Sequence, residues 1–63
     1  MNYRQIEMML RNDGWVWFRT RGSHRHFRHP VKPGIVTVPY HGGSADLSRP
    51  LVRSILRQAG LRR

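Results

Sequence analysis

The chain has no cysteine among its 63 residues, which excludes disulfides and thiolate metal sites and leaves the redox compartment open. Acidic side chains are nearly as scarce: Glu7, Asp13 and Asp46 are the only three. Asp13 belongs to a helix stop and Asp46 leads into a second helix. Glu7 lies three and four residues from Arg4 and Arg11, the spacing of an exposed structural pair on a helix. No two carboxylates are placed for acid–base work together, and a two-metal nuclease finds no ligand set. Long apolar runs are missing too. No stretch approaches the roughly 18 apolar residues of a membrane span, and Met1-Asn2-Tyr3-Arg4-Gln5 lacks the apolar segment of a signal peptide. The expected compartment is the cytoplasm, with no membrane contact.

What is present is positive charge. Eleven arginines and a single lysine set a formal net charge of +9. A chain this small and basic fits a polyanionic partner, and arginine's planar fork suits phosphates and base edges better than lysine does. Hydrophobic residues make up 38% of the chain, enough for one small core and too many for a disordered segment. No linker, repeat or low-complexity tract divides it, so residues 1–63 read as a single domain. A core of this size leaves no room for a deep enzyme cavity, so any chemistry belongs on a surface.

The pattern predicts five elements. Asn2 with Gln5 three residues on forms a capping box, Tyr3, Ile6, Met9 and Leu10 recur at helical spacing, and Asn12-Asp13-Gly14 stops a helix over about 3–12. Trp15 to Arg21 is β-branched and aromatic and reads as a strand, although its start is apolar on both faces. Gly22-Ser23 breaks it, His24 to His29 reads as a second strand ended by Pro30, and Ile35 to Pro39 as a third. Ser48 caps a second helix with Pro50 in its first turn, Leu51, Val52, Ile55, Leu56 and Ala59 make its apolar stripe, and Gly60 stands just past its end. Arg49, Arg53 and Arg57 lie on another flank. The fold class is α+β, in the order α-β-β-β-α, with both helices on one face of an antiparallel sheet and the other face wet.

Alternation along the second strand then sorts its side chains. Phe27 is its one large apolar residue and should face the core, which sends His24, His26 and Arg28 to the open face. Arg25 shares Phe27's parity and is expected near an edge, its head in water. A solvated polar face, a metal site and a phosphodiester site all remain open for this row. A metal site built on His24 and His26 with His29 or His41 is short of ligands. A histidine among arginines suits RNA chemistry, because RNA carries its own nucleophile in the 2′-OH and needs no metal or other cofactor. Ser23 and His24, as strand neighbours, point apart, so they do not form a nucleophile–base pair. Trp15, Trp17 and Phe18 are of the kind that stacks bases, but in so small a chain they are expected in the core.

These residues together resemble the HicA family of mRNA interferase toxins. The likeness runs from a helix ending in Asp13-Gly14-Trp15, through Gly22-Ser23-His24, to Val38-Pro39 with His41 close behind, and ends in Ile55-Leu56-Arg57-Gln58-Ala59-Gly60-Leu61. It implies a double-stranded-RNA-binding-domain-like fold and an RNase that cleaves mRNA until a HicB antitoxin covers the site. The family's catalytic histidine falls on His24. Arg21, Gly22, Ser23, His26, Arg28 and Lys32 are the expected RNA-binding residues. A double-stranded RNA-binding module without catalysis is the alternative.

Overall fold

The computed structural model describes residues 1–61. Helix α1 spans Tyr3–Asp13, strands β1, β2 and β3 span Val16–Arg21, His24–Arg28 and Val36–Pro39, and helix α2 spans Arg49–Gln58. The order is α-β-β-β-α, as the sequence pattern predicts.

Both helices begin at side-chain caps. The Asn2 side chain accepts from Gln5 N while the Gln5 side chain accepts from Asn2 N, a complete capping box at α1. Ser48 Oγ accepts from Leu51 N at the start of α2. Both helices end in the same way. At α1, Gly14 is left-handed at φ 105, Gly14 N donates to Arg11 O and Trp15 N to Leu10 O. At α2, Gly60 is left-handed at φ 70, Gly60 N donates to Arg57 O and Leu61 N to Leu56 O. Each is a Schellman closure, in which a left-handed residue lets two N–H groups turn back onto the last carbonyls.

The strands form one antiparallel sheet in the order β1-β2-β3. Its inner face carries Phe27, Val36 and Val38, all fully buried with Tyr3, Ile6, Leu10, Trp15, Ile55 and Ala59 of the rest of the chain. Two of the three aromatics expected in the core are not there. Trp15 is buried, just ahead of β1, but Trp17 is 39% exposed and Phe18 half-buried. Trp17 faces inward opposite Phe27 but on the edge strand β1, and Phe18 is displaced by a β-bulge: Trp17 pairs with Phe27 and Arg19 with His26, so Phe18 has no partner in the register. Strict alternation from an inward Trp17 would turn Arg19 and Arg21 toward the core. The extra residue shifts the phase and sends both to the open face.

The β2–β3 connection ties the two helix ends together. His29 Nε2 meets Asp13 O at 2.7 Å, and its Nδ1 accepts from Val31 N at 3.0 Å and Lys32 N at 2.9 Å. Because Nδ1 accepts twice, the ring carries its proton on Nε2 and donates it to Asp13 O. Lys32 Nζ donates to Asp13 Oδ2 at 2.5 Å and to Ala59 O at 3.0 Å, placing a cation against the C-terminal end of α2.

Candidate nucleic-acid interface

Cross-strand pairing fixes who shares the open face. Arg21 stands opposite His24 and His24 opposite Pro39; Arg19 stands opposite His26 and His26 opposite Thr37; Val16 stands opposite Arg28. Paired residues have Cβ atoms about 5 Å apart, so Arg21 with His24, and Arg19 with His26, are immediate neighbours. The predicted row of His24, His26 and Arg28 is thus joined by Arg19 and Arg21 from β1. Arg19 went unrecognised in the sequence because the bulge that exposes it leaves no local mark. Arg28 and Arg19 both lie over the Phe18 ring, at 4.9 and 5.4 Å from its centre.

His24 owes its place to the turn before it. Arg21 pairs directly with His24, so Gly22-Ser23 is a two-residue hairpin loop. Gly22 is left-handed at φ 58 and Ser23 is not, the pattern of a II′ turn with glycine in the first position. Nothing crowds the space a Gly22 Cβ would fill, so the need for glycine there is conformational. Ser23 O accepts from Tyr40 N at 2.6 Å, which fastens the turn to the far end of β3.

The histidines differ in their surroundings. His24 is exposed. His26 is half-buried, with Nδ1 3.0 Å from Thr37 Oγ1. Partial burial, and after it the charges of Arg19, His24 and Arg21, push its imidazole below the ordinary value and favour its neutral form. His29 is committed to the backbone contacts described above, and His41 lies exposed in the loop after β3. Among the described residues, no three His, Asp or Glu side chains come together as metal ligands. Lys32 stands apart from the row, paired with Asp13 and Ala59 O.

A family model described as the HicA toxin of bacterial toxin-antitoxin matches residues 3–61, nearly the whole chain. The chain belongs to the HicA toxin family. No curated protein matches it. Membership of this family makes it a toxin, with an antitoxin as its partner.

Behind the open face, this HicA toxin carries a second arginine cluster that the sequence disguised. Arg25 does not send its head to water. Its guanidinium lies 3.6 Å from the centre of the Tyr40 ring and 4.1 Å from that of Trp17, donates to Tyr3 Oη at 3.3 Å, and pairs with Glu7 at 3.6 Å. Glu7 is half-buried rather than exposed. It also accepts from Tyr3 Oη at 2.6 Å and pairs with Arg11 at 2.8 Å, while no ion pair joins it to Arg4. Burial pushes the Glu7 carboxyl up, yet hydrogen bonds from Tyr3 and Arg11 and the charges of Arg11 and Arg25 outweigh it and hold it below its ordinary value. Burial, with the Glu7 hydrogen bond, raises the Tyr3 phenol to about 12. Tyr3, Glu7, Arg11, Arg25 and Tyr40 line a groove of about 400 Å³ along α1. Its carboxylate is already matched by cations, so we read it as the support for Tyr40 and hence for the Gly22-Ser23 turn.

Proposed function

We propose that the toxin is a metal-independent endoribonuclease, an mRNA interferase, whose open sheet face binds RNA and whose His24 moves the proton. One observation carries the reading: an exposed histidine stands beside a tight turn, among arginines that the Phe18 bulge gathers onto one face, in a chain of a toxin family. The RNA 2′-oxygen attacks the neighbouring phosphorus, the bond to the 5′-oxygen breaks, and the products are a 2′,3′-cyclic phosphate and a 5′-hydroxyl. His24 serves this exchange as general acid or base. Arg19, Arg21 and Arg28 hold the charge that builds on the non-bridging oxygens, since guanidinium forks match phosphate geometry. Gly22, Ser23 and His26 complete the contact surface. Lys32 is left out of it, because its ammonium already serves Asp13 and the end of α2.

The antitoxin is proposed to be of the HicB type. A protein that covers this face should be acidic where it meets the arginines and should compete with RNA. Val16, 53% exposed and opposite Arg28, offers it an apolar contact at the far end of the same face.

The test is His24→Ala. Purified wild type is expected to cut a folded mRNA in EDTA and to arrest growth when expressed. The variant should lose about a hundredfold or more of the cutting, and the toxicity with it. Equal cutting by both would remove His24 from the mechanism. RNA bound but uncut by both would leave the non-catalytic double-stranded RNA-binding module.

A further inference from the structure

In-line transfer at phosphorus has two ends, and His24 can attend only one of them at a time. The attacking 2′-oxygen loses a proton on one side of the phosphorus, and the 5′-oxygen gains one on the other. Two proton carriers on one surface, each within hydrogen-bond reach of about 3 Å of its oxygen, serve both. On the open face, residues two apart on a strand carry side chains about 7 Å from each other, a span two hydrogen bonds and a phosphate can bridge. His24 and His26 stand in that relation.

The other candidates fall away on geometry. His29 gives both ring nitrogens to backbone groups. His41 is in the loop after β3, outside the paired face. Glu7 and Asp13 are tied into ion pairs away from the open face. His26 differs from all of them. Thr37 Oγ1 holds its Nδ1 from the neighbouring strand, while among the described residues no hydrogen bond occupies Nε2. In the tautomer that donates Nδ1–H to Thr37, the Nε2 lone pair is free to accept a proton.

Resting on the ribonuclease reading above, we propose that His26 is a second catalytic residue: the base that takes the 2′-OH proton, while protonated His24 gives one to the departing 5′-oxygen. The balance is complete. The 2′-O–P bond forms, the P–O5′ bond breaks, one proton arrives on His26 and one leaves His24, and exchange with water restores both. The groups that face His26 favour this division. Arg19 and Arg21 from β1 and His24 and Arg28 from β2 are cationic or become so, Thr37 from β3 is neutral, and the helices pack on the opposite side of the sheet. A base should enter the reaction neutral, and cationic neighbours make that the easier state. Thr37 is a positioning residue in this scheme.

The experiment compares wild type, His24→Gln, His26→Gln and Thr37→Val on an RNA cleaved by wild type. Each is assayed across pH, with a normal linkage and with a 5′-bridging sulfur at the scissile position. A thiolate leaves without an acid. His26→Gln is expected to lose kcat by about a hundredfold or more at little change in KM, and to lose the acid-side limb of the pH profile. The sulfur linkage should restore cutting by His24→Gln and not by His26→Gln. Thr37→Val should keep the bell-shaped profile at reduced kcat. Rescue of His26→Gln by sulfur, or a His26→Gln that changes KM alone and keeps both limbs, would overturn the proposal while leaving the ribonuclease in place. If wild type cuts none of the folded mRNAs screened for that substrate, the ribonuclease reading itself is overturned, and this proposal with it.

Discussion

His29 holds three backbone groups at once, Asp13 O and the N–H groups of Val31 and Lys32, and the edge of its ring meets Trp15 with centres 5.2 Å apart. Gly14 makes room for it: a Cβ there would stand 2.7 Å from His29 Nε2. His29→Ala would leave those groups without a partner in a half-buried place, a loss of about 1–3 kcal/mol. In a domain of this size each kcal/mol lowers Tm by roughly 4–8 °C. Thermal melts should therefore separate His29→Ala, destabilised, from His24→Ala, within about 0.5 kcal/mol of wild type because His24 is exposed. The sequence told these two histidines apart only in part. Parity from Phe27 placed His24 and His26 correctly, because one apolar residue in a strand sets the phase for its neighbours. His29 lies one residue past the strand, where alternation no longer speaks. Its partners come from residue 13 and from the loop after it, and no spacing rule joins them.

Among the elements, the helix ends were the most legible. Asn2 with Gln5, Gly14, Ser48 and Gly60 all do what their types imply, because capping is chemistry within a few residues. Lys32 shows where such reasoning stops. Its charge suggests a contact for RNA; in the fold it pairs with Asp13 and donates to the carbonyl of Ala59, the C-cap of α2, 27 residues away. Lys32→Ala is expected to destabilise the fold by about 1–2 kcal/mol while leaving kcat on RNA within about twofold of wild type. Chemical denaturation and a cleavage assay of the same sample check both halves. Strand β1 was the least legible element. Its predicted start at Trp15 gives way to Val16, and its bulge at Phe18 follows from a tertiary requirement. Trp17 faces inward beside Phe27, and Arg19 and Arg21 cannot follow it there without stranding two charges against the core.

At the scale of the whole molecule, the two faces of the sheet divide the charge. Carboxylates are used inside the fold: Glu7 with Arg11 and Arg25, Asp13 with Lys32. The arginines of the open face have no carboxylate near them among the described ion pairs. This arrangement fixes how stability follows pH. The Lys32 hydrogen bond foremost holds Asp13 below its ordinary value of 3.8, and Glu7 lies below 4.5. His26 also lies below 6.5. In each case the unfolded chain binds the proton first as pH falls, so stability drops with it. The loss should begin below about 6.5 with His26 and deepen through the carboxylate range. Tyr3 has the opposite sign: its phenol, raised from 10.0 to about 12, keeps its proton longer in the folded state, so stability is lost as pH rises across that interval. Melts across both limbs check the shape, and Glu7→Gln should flatten the acid limb.

The α-β-β-β-α order and the open His/Arg face were readable because they rest on periodicity and parity. The Arg25 cluster was not, because Tyr3, Glu7, Trp17 and Tyr40 meet it only after the chain has folded. In the proposed mechanism, this open face turns RNA's own 2′-oxygen against the chain it belongs to. The most direct measurement places a single 2′-deoxy nucleotide on the 5′ side of a mapped cleavage site, in EDTA. This linkage is expected to survive while other sites in the same RNA are cut, each leaving a 2′,3′-cyclic phosphate. Cleavage at the deoxy linkage would contradict the mechanism, because water and not the RNA would then be the nucleophile.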